Sequence, residues 1–165
     1  MKKILMMCAI VLLAPMQALA EEATIYLVRH AEKQADSDPA LTEQGRARAA
    51  ALAEILNGVS ISKVYSTDTR RTRQTAQPVA DQKKLPIELY DPRAFREFAD
   101  GLKAEFLSGT SSILVVGHSN TTPYLATLLT GEEHSMLSED QYDHLYHVKK
   151  DADGQLTVTI TKFNP

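Results

Sequence analysis

Short apolar runs alternate with longer amphipathic segments along most of the chain. Four runs have the length and the β-branched character of strands, over residues 24–28, 61–65, 87–90 and 112–116. The first run is almost entirely apolar, as expected of a strand that is covered on both faces. Helical patterns follow these runs, over residues 42–56, 70–84, 95–107 and 122–129. Strands that alternate with helices in this way predict a parallel sheet.

The last third of the chain ends in a different pattern. Residues 142–149 and 156–163 alternate as strands around Asp151–Gly154, which is a hairpin signal. We therefore expect an α/β fold with three layers, α/β/α, in which a mainly parallel central sheet carries a C-terminal β-hairpin at its edge. No repeat, low-complexity tract or linker interrupts residues 21–165, so the sequence predicts one domain there.

The first 20 residues have the three regions of an export signal. Met1–Lys3 is cationic, Ile4–Ala14 is an apolar run, and Ala18–Ala20 offers small residues for cleavage. The apolar run is too short to span a bilayer comfortably. The sequence therefore predicts a cleaved signal peptide over residues 1–20, no stable membrane anchor, and a periplasmic or secreted protein.

Composition limits the chemistry that residues 21–165 can perform. The single cysteine, Cys8, lies in the predicted signal peptide, so disulfides, thiolate zinc sites and cysteine nucleophiles are excluded from the rest of the chain. The chain has 18 Lys and Arg residues against 21 Asp and Glu residues, a net charge of −3. An acidic balance gives no general attraction to nucleic acid or anionic lipid, so any phosphate binding must be local.

Side chains suited to phosphate follow the predicted strands. Ligands of an open parallel sheet bind beyond the carboxyl ends of its strands. In chain order, these ends lead into Arg29 and His30, Arg70–Arg73, Asp91 and His118. Arginine forks fit phosphate oxygens, and histidine can attack or transfer protons near neutral pH. The residues alone therefore indicate a phosphate-handling site.

Four segments resemble motifs of the histidine phosphatase superfamily, which is also known as phosphoglycerate mutase-like. Leu-Val-Arg-His-Ala is similar to the Arg-His-Gly/Ala motif, and Leu-Thr-Glu-Gln-Gly to the Leu-Thr-x-x-Gly element. A later block around Arg-Arg-Thr-Arg-Gln-Thr-Ala resembles the arginine motif, and Val-Gly-His-Ser-Asn the second-histidine motif. In the order in which the motifs are named above, the four segments are Leu27–Ala31, Leu41–Gly45, Tyr65–Ala76 and Val116–Asn120. The chain is identified on this basis as a short, exported bacterial member, with the resemblance spanning about residues 24–130.

The resemblance implies a phosphatase that works through a phosphohistidine on His30, with no metal or other cofactor. Arg29 and Arg71 would bind the phosphoryl oxygens, and His118 would complete the phosphate pocket. Arg71 is preferred over the neighbouring arginines because it lies three residues before Gln74, as the family's arginine does. Nearby guanidinium groups also favour the neutral imidazole that attack requires.

The identity of the proton donor is open between two acids. Many members carry Leu-x-Glu after the third strand, and Leu89–Asp91 fits that place with a shorter acid. Glu97, one or two helical turns further on, is the rival, and some short members have no dedicated acid. We predict Asp91, and the departure from Glu leaves protonation of the leaving group open.

Other functions remain as alternatives. Gly117–Thr121 resembles the nucleophile elbow of a serine hydrolase, with Ser119 as nucleophile, although that function leaves His30 and Arg71 unexplained. A non-catalytic binder of phosphorylated ligands would use the same scaffold. Mutase activity would need its sugar phosphate in the same compartment, which the predicted export disfavours. The expected substrate is a phosphorylated small molecule, a glycan or a phosphoprotein.

Several charged residues near the motifs have simpler interpretations. Arg70 and Arg73 are interpreted as solvated charges on a helix face. Glu32 and Lys33 either line the mouth of the pocket or form salt bridges outside it, and the sequence does not distinguish the two.

Aromatic residues near the end of the chain are interpreted as structural. Alternation of Tyr142, Tyr146 and Val148 is typical of packing on a strand. His144 and His147 are an odd number of residues apart, so on a strand they face opposite sides and do not favour a metal site.

Overall fold

The computed structural model describes residues 22–165, so the predicted signal peptide and Cys8 lie outside the described residues. Within that range the chain forms six strands and four α-helices, with a short 3₁₀ turn at Pro92–Ala94. The elements are β1 (Ile25–Arg29), α1 (Glu43–Ile55), β2 (Ile61–Ser66), α2 (Arg70–Lys83), β3 (Ile87–Leu89), α3 (Phe95–Ser108), β4 (Ser112–Gly117), α4 (Thr121–Thr130), β5 (His144–Lys150) and β6 (Leu156–Lys162). Each predicted element is present, with bounds that differ by one or two residues.

All six strands belong to one sheet, in the order β3-β2-β4-β1-β5-β6. The first four in that order run parallel to one another. β5 pairs antiparallel with β1, and β6 pairs antiparallel with β5. The predicted hairpin therefore lies at one edge of a mainly parallel sheet, which confirms the expected topology.

Helices cover both faces of the sheet, as the side chains of β1 show. Ile25 and Leu27 pack into a core with residues of α3 and α4. Tyr26 and Val28, on the other face, pack into a second core with residues of α1 and α2. Successive side chains of a strand point to opposite faces, so a strand between two helical layers must be apolar throughout. The three-layer prediction is confirmed.

The first turn of α1 packs directly against the backbone that follows β1. Thr42 caps the helix, as its Oγ1 accepts a hydrogen bond from the Gly45 amide at 3.0 Å. A Cβ atom at position 45 would overlap the carbonyl oxygen of Glu32. The glycine of the Leu-Thr-x-x-Gly element is therefore a packing requirement, because it lets the helix approach the loop after His30.

A buried arginine ties the same loop to the end of the chain. The side chain of Arg48 is 8% exposed, and its Nε and Nη2 atoms donate to the Glu32 carboxylate at 2.7–3.0 Å. Its Nη1 atom donates to the carbonyl oxygen of Phe163 at 2.8 Å. Glu32 therefore forms a salt bridge away from the predicted pocket.

No helix among the described residues combines the length and the apolar character that crossing a membrane would require.

Candidate active site

His30 directly follows β1 and is 3% exposed. Its Nδ1 atom lies 2.8 Å from the carbonyl oxygen of Ala31. Since a carbonyl oxygen only accepts hydrogen bonds, Nδ1 carries the proton, and Nε2 of the neutral ring keeps its lone pair. Burial, followed by the charges of Arg29 and Arg71, lowers the pKa of His30 to about 3. The imidazole is therefore neutral near pH 7, with its free nitrogen available for attack.

Two side chains of α2 hold the backbone on either side of the phosphate site. Thr75 Oγ1 accepts a hydrogen bond from the Ala31 amide at 2.9 Å and donates to the Arg71 carbonyl oxygen at 2.8 Å. Gln74 Oε1 accepts from the Leu41 amide at 2.8 Å. The Gln-Thr pair of the arginine motif thus ties the loop that carries His30 to the helix that carries Arg71.

His118 lies at the end of β4, with its ring 5.5 Å from that of His30, centroid to centroid. Its Nδ1 atom is 3.4 Å from Nη2 of Arg71, and its Nε2 atom is 2.9 Å from Oγ1 of Thr67. Because a guanidinium only donates, Nδ1 is the acceptor and Nε2 carries the proton. Burial, with the charges of Arg71 and Arg29, lowers the pKa of His118 to about 4. The site therefore brings together two neutral imidazoles.

Arg29 is held by the loop that precedes β5. Its side chain is 2% exposed, and Nη1 donates to the carbonyl oxygens of Ser138 at 2.7 Å, Gln141 at 3.2 Å and Glu139 at 3.3 Å. The guanidinium carbon lies 4.1 Å from the centroid of the Tyr142 ring. This cradle fixes the cation in place before any ligand arrives.

A cavity of about 320 Å³ opens over these groups. It is lined by Arg29, His30, Lys33, Arg71, His118, Ser119, Asn120 and Glu139. The Nε atoms of Arg29 and Arg71 are buried and have no hydrogen-bond partner among the described residues. A buried donor without a partner costs free energy, and an oxyanion in the cavity supplies the acceptor that both lack.

The family model described as the histidine phosphatase superfamily, branch 1, matches residues 25–102, which include His30 and Arg71. Over these residues, just under half of its length, the chain is similar to the histidine phosphatase superfamily.

Individual members resemble it to different extents. A probable phosphoglycerate mutase, GpmB, of Erwinia tasmaniensis is 38% identical over 77 residues, which cover 42% of this chain and 35% of that protein. The chain thus matches about a third of the length of this relative. The solved structure of the protein histidine phosphatase SixA, in complex with tungstate, matches with a TM-score of 0.69 and 26% identity. That match covers 84% of this chain and 96% of SixA.

A second solved structure shows the fold at lower identity. The mycobacterial glucosyl-3-phosphoglycerate phosphatase Rv2419c matches with a TM-score of 0.64 and 15% identity, over 86% of this chain and 98% of that chain. At 15% identity, this match shows a shared fold only.

Of the five site residues that the resemblance to the superfamily implies, four line the cavity: Arg29, His30, Arg71 and His118. Asp91 lies outside it, exposed, at the start of the 3₁₀ turn. Its carboxylate is 2.8 Å from Nη2 of Arg93, and hydrogen bonds from that residue lower the pKa of Asp91. Asp91 shares a neighbouring cavity with His118, and another with Glu97. Its role as proton donor stays a prediction.

Tyr142 and Glu139 are residues of this site that the sequence interpretation missed, and the Glu139 carboxylate lies 3.4 Å from Nη2 of Arg29. Tyr146 and Val148 are buried in the core, as expected of strand packing. Tyr142 instead precedes β5, and its ring centroid lies 6.1 Å from that of His30. No local pattern links Tyr142 to the nucleophile, because their contact forms only when β5 pairs with β1.

The other charged residues near the motifs lie in different surroundings. Lys33 lines the phosphate cavity, whereas Glu32 is paired with Arg48. Arg70 is exposed, and Arg73 is exposed in an ion pair with Asp68, as expected of solvated helix charges. Within residues 22–165, no group of three or more His, Cys, Asp or Glu side chains is arranged to hold a metal ion.

Proposed function

We propose that this protein is an exported phosphatase that hydrolyses phosphomonoesters through a phosphohistidine on His30, without a metal ion. The observation that carries the proposal is the state of His30, a neutral imidazole whose proton is fixed on Nδ1 by the Ala31 carbonyl. The match to the superfamily's model over residues 25–102 and the likeness to SixA, which is a protein histidine phosphatase, support phosphatase activity.

In the first step, the Nε2 lone pair of His30 attacks the phosphorus atom. The bond between phosphorus and the leaving oxygen breaks, and that oxygen takes a proton from solvent or from an acid such as Asp91. Charge on the transferring phosphoryl group spreads over its three remaining oxygens, and Arg29 and Arg71 stabilise it. The two guanidinium groups thus provide the electrostatic stabilisation that a metal ion provides in other phosphatases.

In the second step, water attacks the phosphohistidine. The bond between nitrogen and phosphorus breaks, the electron pair returns to Nε2, and the proton of the attacking water passes to solvent. Inorganic phosphate leaves, and His30 returns to its neutral form with the proton still on Nδ1. The cradle around Arg29 keeps one cation fixed through both steps, so little reorganisation is needed at the moment of reaction.

The substrate is a phosphorylated small molecule, a glycan or a phosphoprotein. SixA acts on protein histidine and Rv2419c on glucosyl-3-phosphoglycerate. Their diversity supports a phosphorylated substrate for this chain without selecting one. Export is supported by the pattern of the first 20 residues.

Steady-state hydrolysis of p-nitrophenyl phosphate tests the proposal. His30→Ala should abolish turnover, Ser119→Ala should retain most of it, and a chelator should leave the wild-type rate unchanged. Hydrolysis of carboxylic esters that depends on Ser119 would instead support a serine hydrolase. Phosphate binding without turnover would support a non-catalytic binder, and strict dependence on an added metal would contradict the mechanism.

A further inference from the structure

A second cavity, of about 480 Å³, begins beside His118 and extends away from His30 along the end of β3. His118 lines this cavity as well as the phosphate cavity, whereas His30 lines the phosphate cavity and not this second one. The apolar part of its lining is formed by Leu89, Tyr90 and Pro92, which we call the apolar shelf. His118 therefore forms a wall that the two cavities share.

Leu89 and Pro92 of the apolar shelf are exposed, whereas Tyr90 is buried beneath them and held by its neighbours. Leu89 is 51% exposed at the end of β3. The ring of Tyr90 stacks on that of Phe98, with centroids 4.2 Å apart and planes 6° apart, and its hydroxyl donates to the Val116 carbonyl oxygen at 3.3 Å. Leu89 and Tyr90 also line an adjoining cavity of about 310 Å³ that reaches Phe98. The shelf is a fixed surface rather than a flexible loop.

The charged groups at the rim of the second cavity are paired with one another. Arg93 is bound to Asp91 at 2.8 Å, and Asp68 is bound to Arg73 at 3.1 Å. The opposite charges of each pair cancel, so the rim has no excess of positive charge to attract a second phosphate or carboxylate on the leaving group. The rim therefore favours a leaving group that carries no charge.

We propose that the apolar shelf binds the leaving group, and that the preferred substrates are phosphomonoesters with an uncharged apolar ring close to the ester oxygen. This inference rests on the proposed function. In-line displacement places the leaving oxygen opposite Nε2 of His30, and the cavity that starts at His118 extends away from that nucleophile. A ring lying on Leu89 and Pro92 removes apolar surface of both partners from water, which favours binding.

Benzyl phosphate and ethyl phosphate provide a matched test, because both release a primary alcohol of similar acidity. Differences in kcat/KM between them therefore report contacts of the leaving group rather than its chemistry. The expected ratio is about tenfold in favour of benzyl phosphate, as one ring face is buried. Leu89→Ser should remove most of that preference and leave kcat/KM for ethyl phosphate nearly unchanged.

Two controls distinguish an effect on the apolar shelf from an effect on the phosphate site or on folding. Leu107 is 42% exposed on α3 and lies outside the lining of both cavities, so Leu107→Ser should keep the benzyl preference. Inhibition by inorganic phosphate should be equal in wild type and Leu89→Ser, because phosphate contacts only the oxyanion site.

Two results would overturn the assignment of the shelf while leaving the proposed function intact. One is equal kcat/KM for benzyl and ethyl phosphate in the wild type. The other is a Leu89→Ser variant that loses activity on both substrates equally. Failure of the proposed function is distinguishable from either, since the wild type would then hydrolyse neither ester.

Discussion

The guanidinium of Arg29 lies over the face of the Tyr142 ring, 4.1 Å from its centroid. Carbonyl oxygens of Ser138 and Gln141 accept hydrogen bonds from the same guanidinium. The last residue of β1 is thus fixed by the loop before β5, which lies next to β1 in the sheet. The position of the cation that we propose to bind phosphate depends on that pairing.

Replacing Tyr142 by Leu should weaken phosphate binding by about two- to thirtyfold, because a cation over an aromatic face is stabilised by about 0.5–2 kcal/mol. The measurement is the inhibition constant of inorganic phosphate. Tyr142→Phe keeps the ring and should keep the wild-type constant. An inhibition constant that is unchanged in Tyr142→Leu would show that the ring does not position Arg29.

Replacing Gly45 by Ala should destabilise the fold by about 1–3 kcal/mol, since the new Cβ overlaps the Glu32 carbonyl oxygen and must displace the backbone after His30. The same change should lower kcat/KM. Gly101, inside α3, has open space around its missing Cβ, so Gly101→Ala should gain about 0.5–1 kcal/mol. Urea unfolding of the two variants checks both values, and equal stability would contradict the role given to Gly45.

The elements of the fold were predictable because their signals are local. The alternation of apolar runs with amphipathic segments sets the sheet and its two helical layers, and Thr42 marks the start of α1 by its own side chain. The position of Asp91 was also local, as it lies two residues after the end of β3. Its pairing with Arg93, two residues on, is a short-range contact that the Asp-Pro-Arg sequence could have suggested.

Contacts between distant segments were not predictable from the chain alone. Glu32 and Lys33 are adjacent, and only the burial of Arg48 beside Glu32 decides which of them turns toward the cavity. Tyr142 matches the alternation of a strand, yet β5 begins after it and leaves its ring on Arg29. No pattern within a few residues of Lys33 or Tyr142 predicts where either side chain lies.

The His30 ring should stay neutral, with its proton on Nδ1, between pH 5 and pH 8. Its pKa is lowered from the ordinary 6.5 to about 3, mainly by burial. Nitrogen-15 NMR of the histidine rings, with His30→Gln to assign the signal, measures this directly. A titration midpoint near 6.5 for His30 would contradict the electrostatic description of the site.

The same lowered pKa makes His30 a source of acid sensitivity. Between pH 6.5 and about pH 3 the unfolded chain binds a proton at His30 and the folded chain does not. Stability therefore falls as pH decreases through that window. His30→Gln should reduce the slope of unfolding free energy against pH, and an unchanged slope would contradict the linkage.

Asp91→Asn should lower kcat for an alkyl phosphate by about 100-fold and for p-nitrophenyl phosphate far less. An alkoxide is a poor leaving group and needs a proton, whereas p-nitrophenolate leaves without one. Hydrogen bonds from Arg93 lower the pKa of Asp91, so activity on alkyl phosphates should decline as pH rises. Arg93→Met removes these bonds and should shift the decline to higher pH. Glu97→Gln is the matched control, and equal losses on both substrates in Asp91→Asn would exclude Asp91 as the donor.

Trapping the covalent intermediate tests the central claim most directly. Wild-type protein quenched during turnover of a ³²P-labelled phosphomonoester should carry label that is lost in acid and retained in alkali, on the peptide that contains His30. His30→Ala should carry none. Label that is stable in acid, or label on Ser119, would contradict the assignment of His30 as the nucleophile.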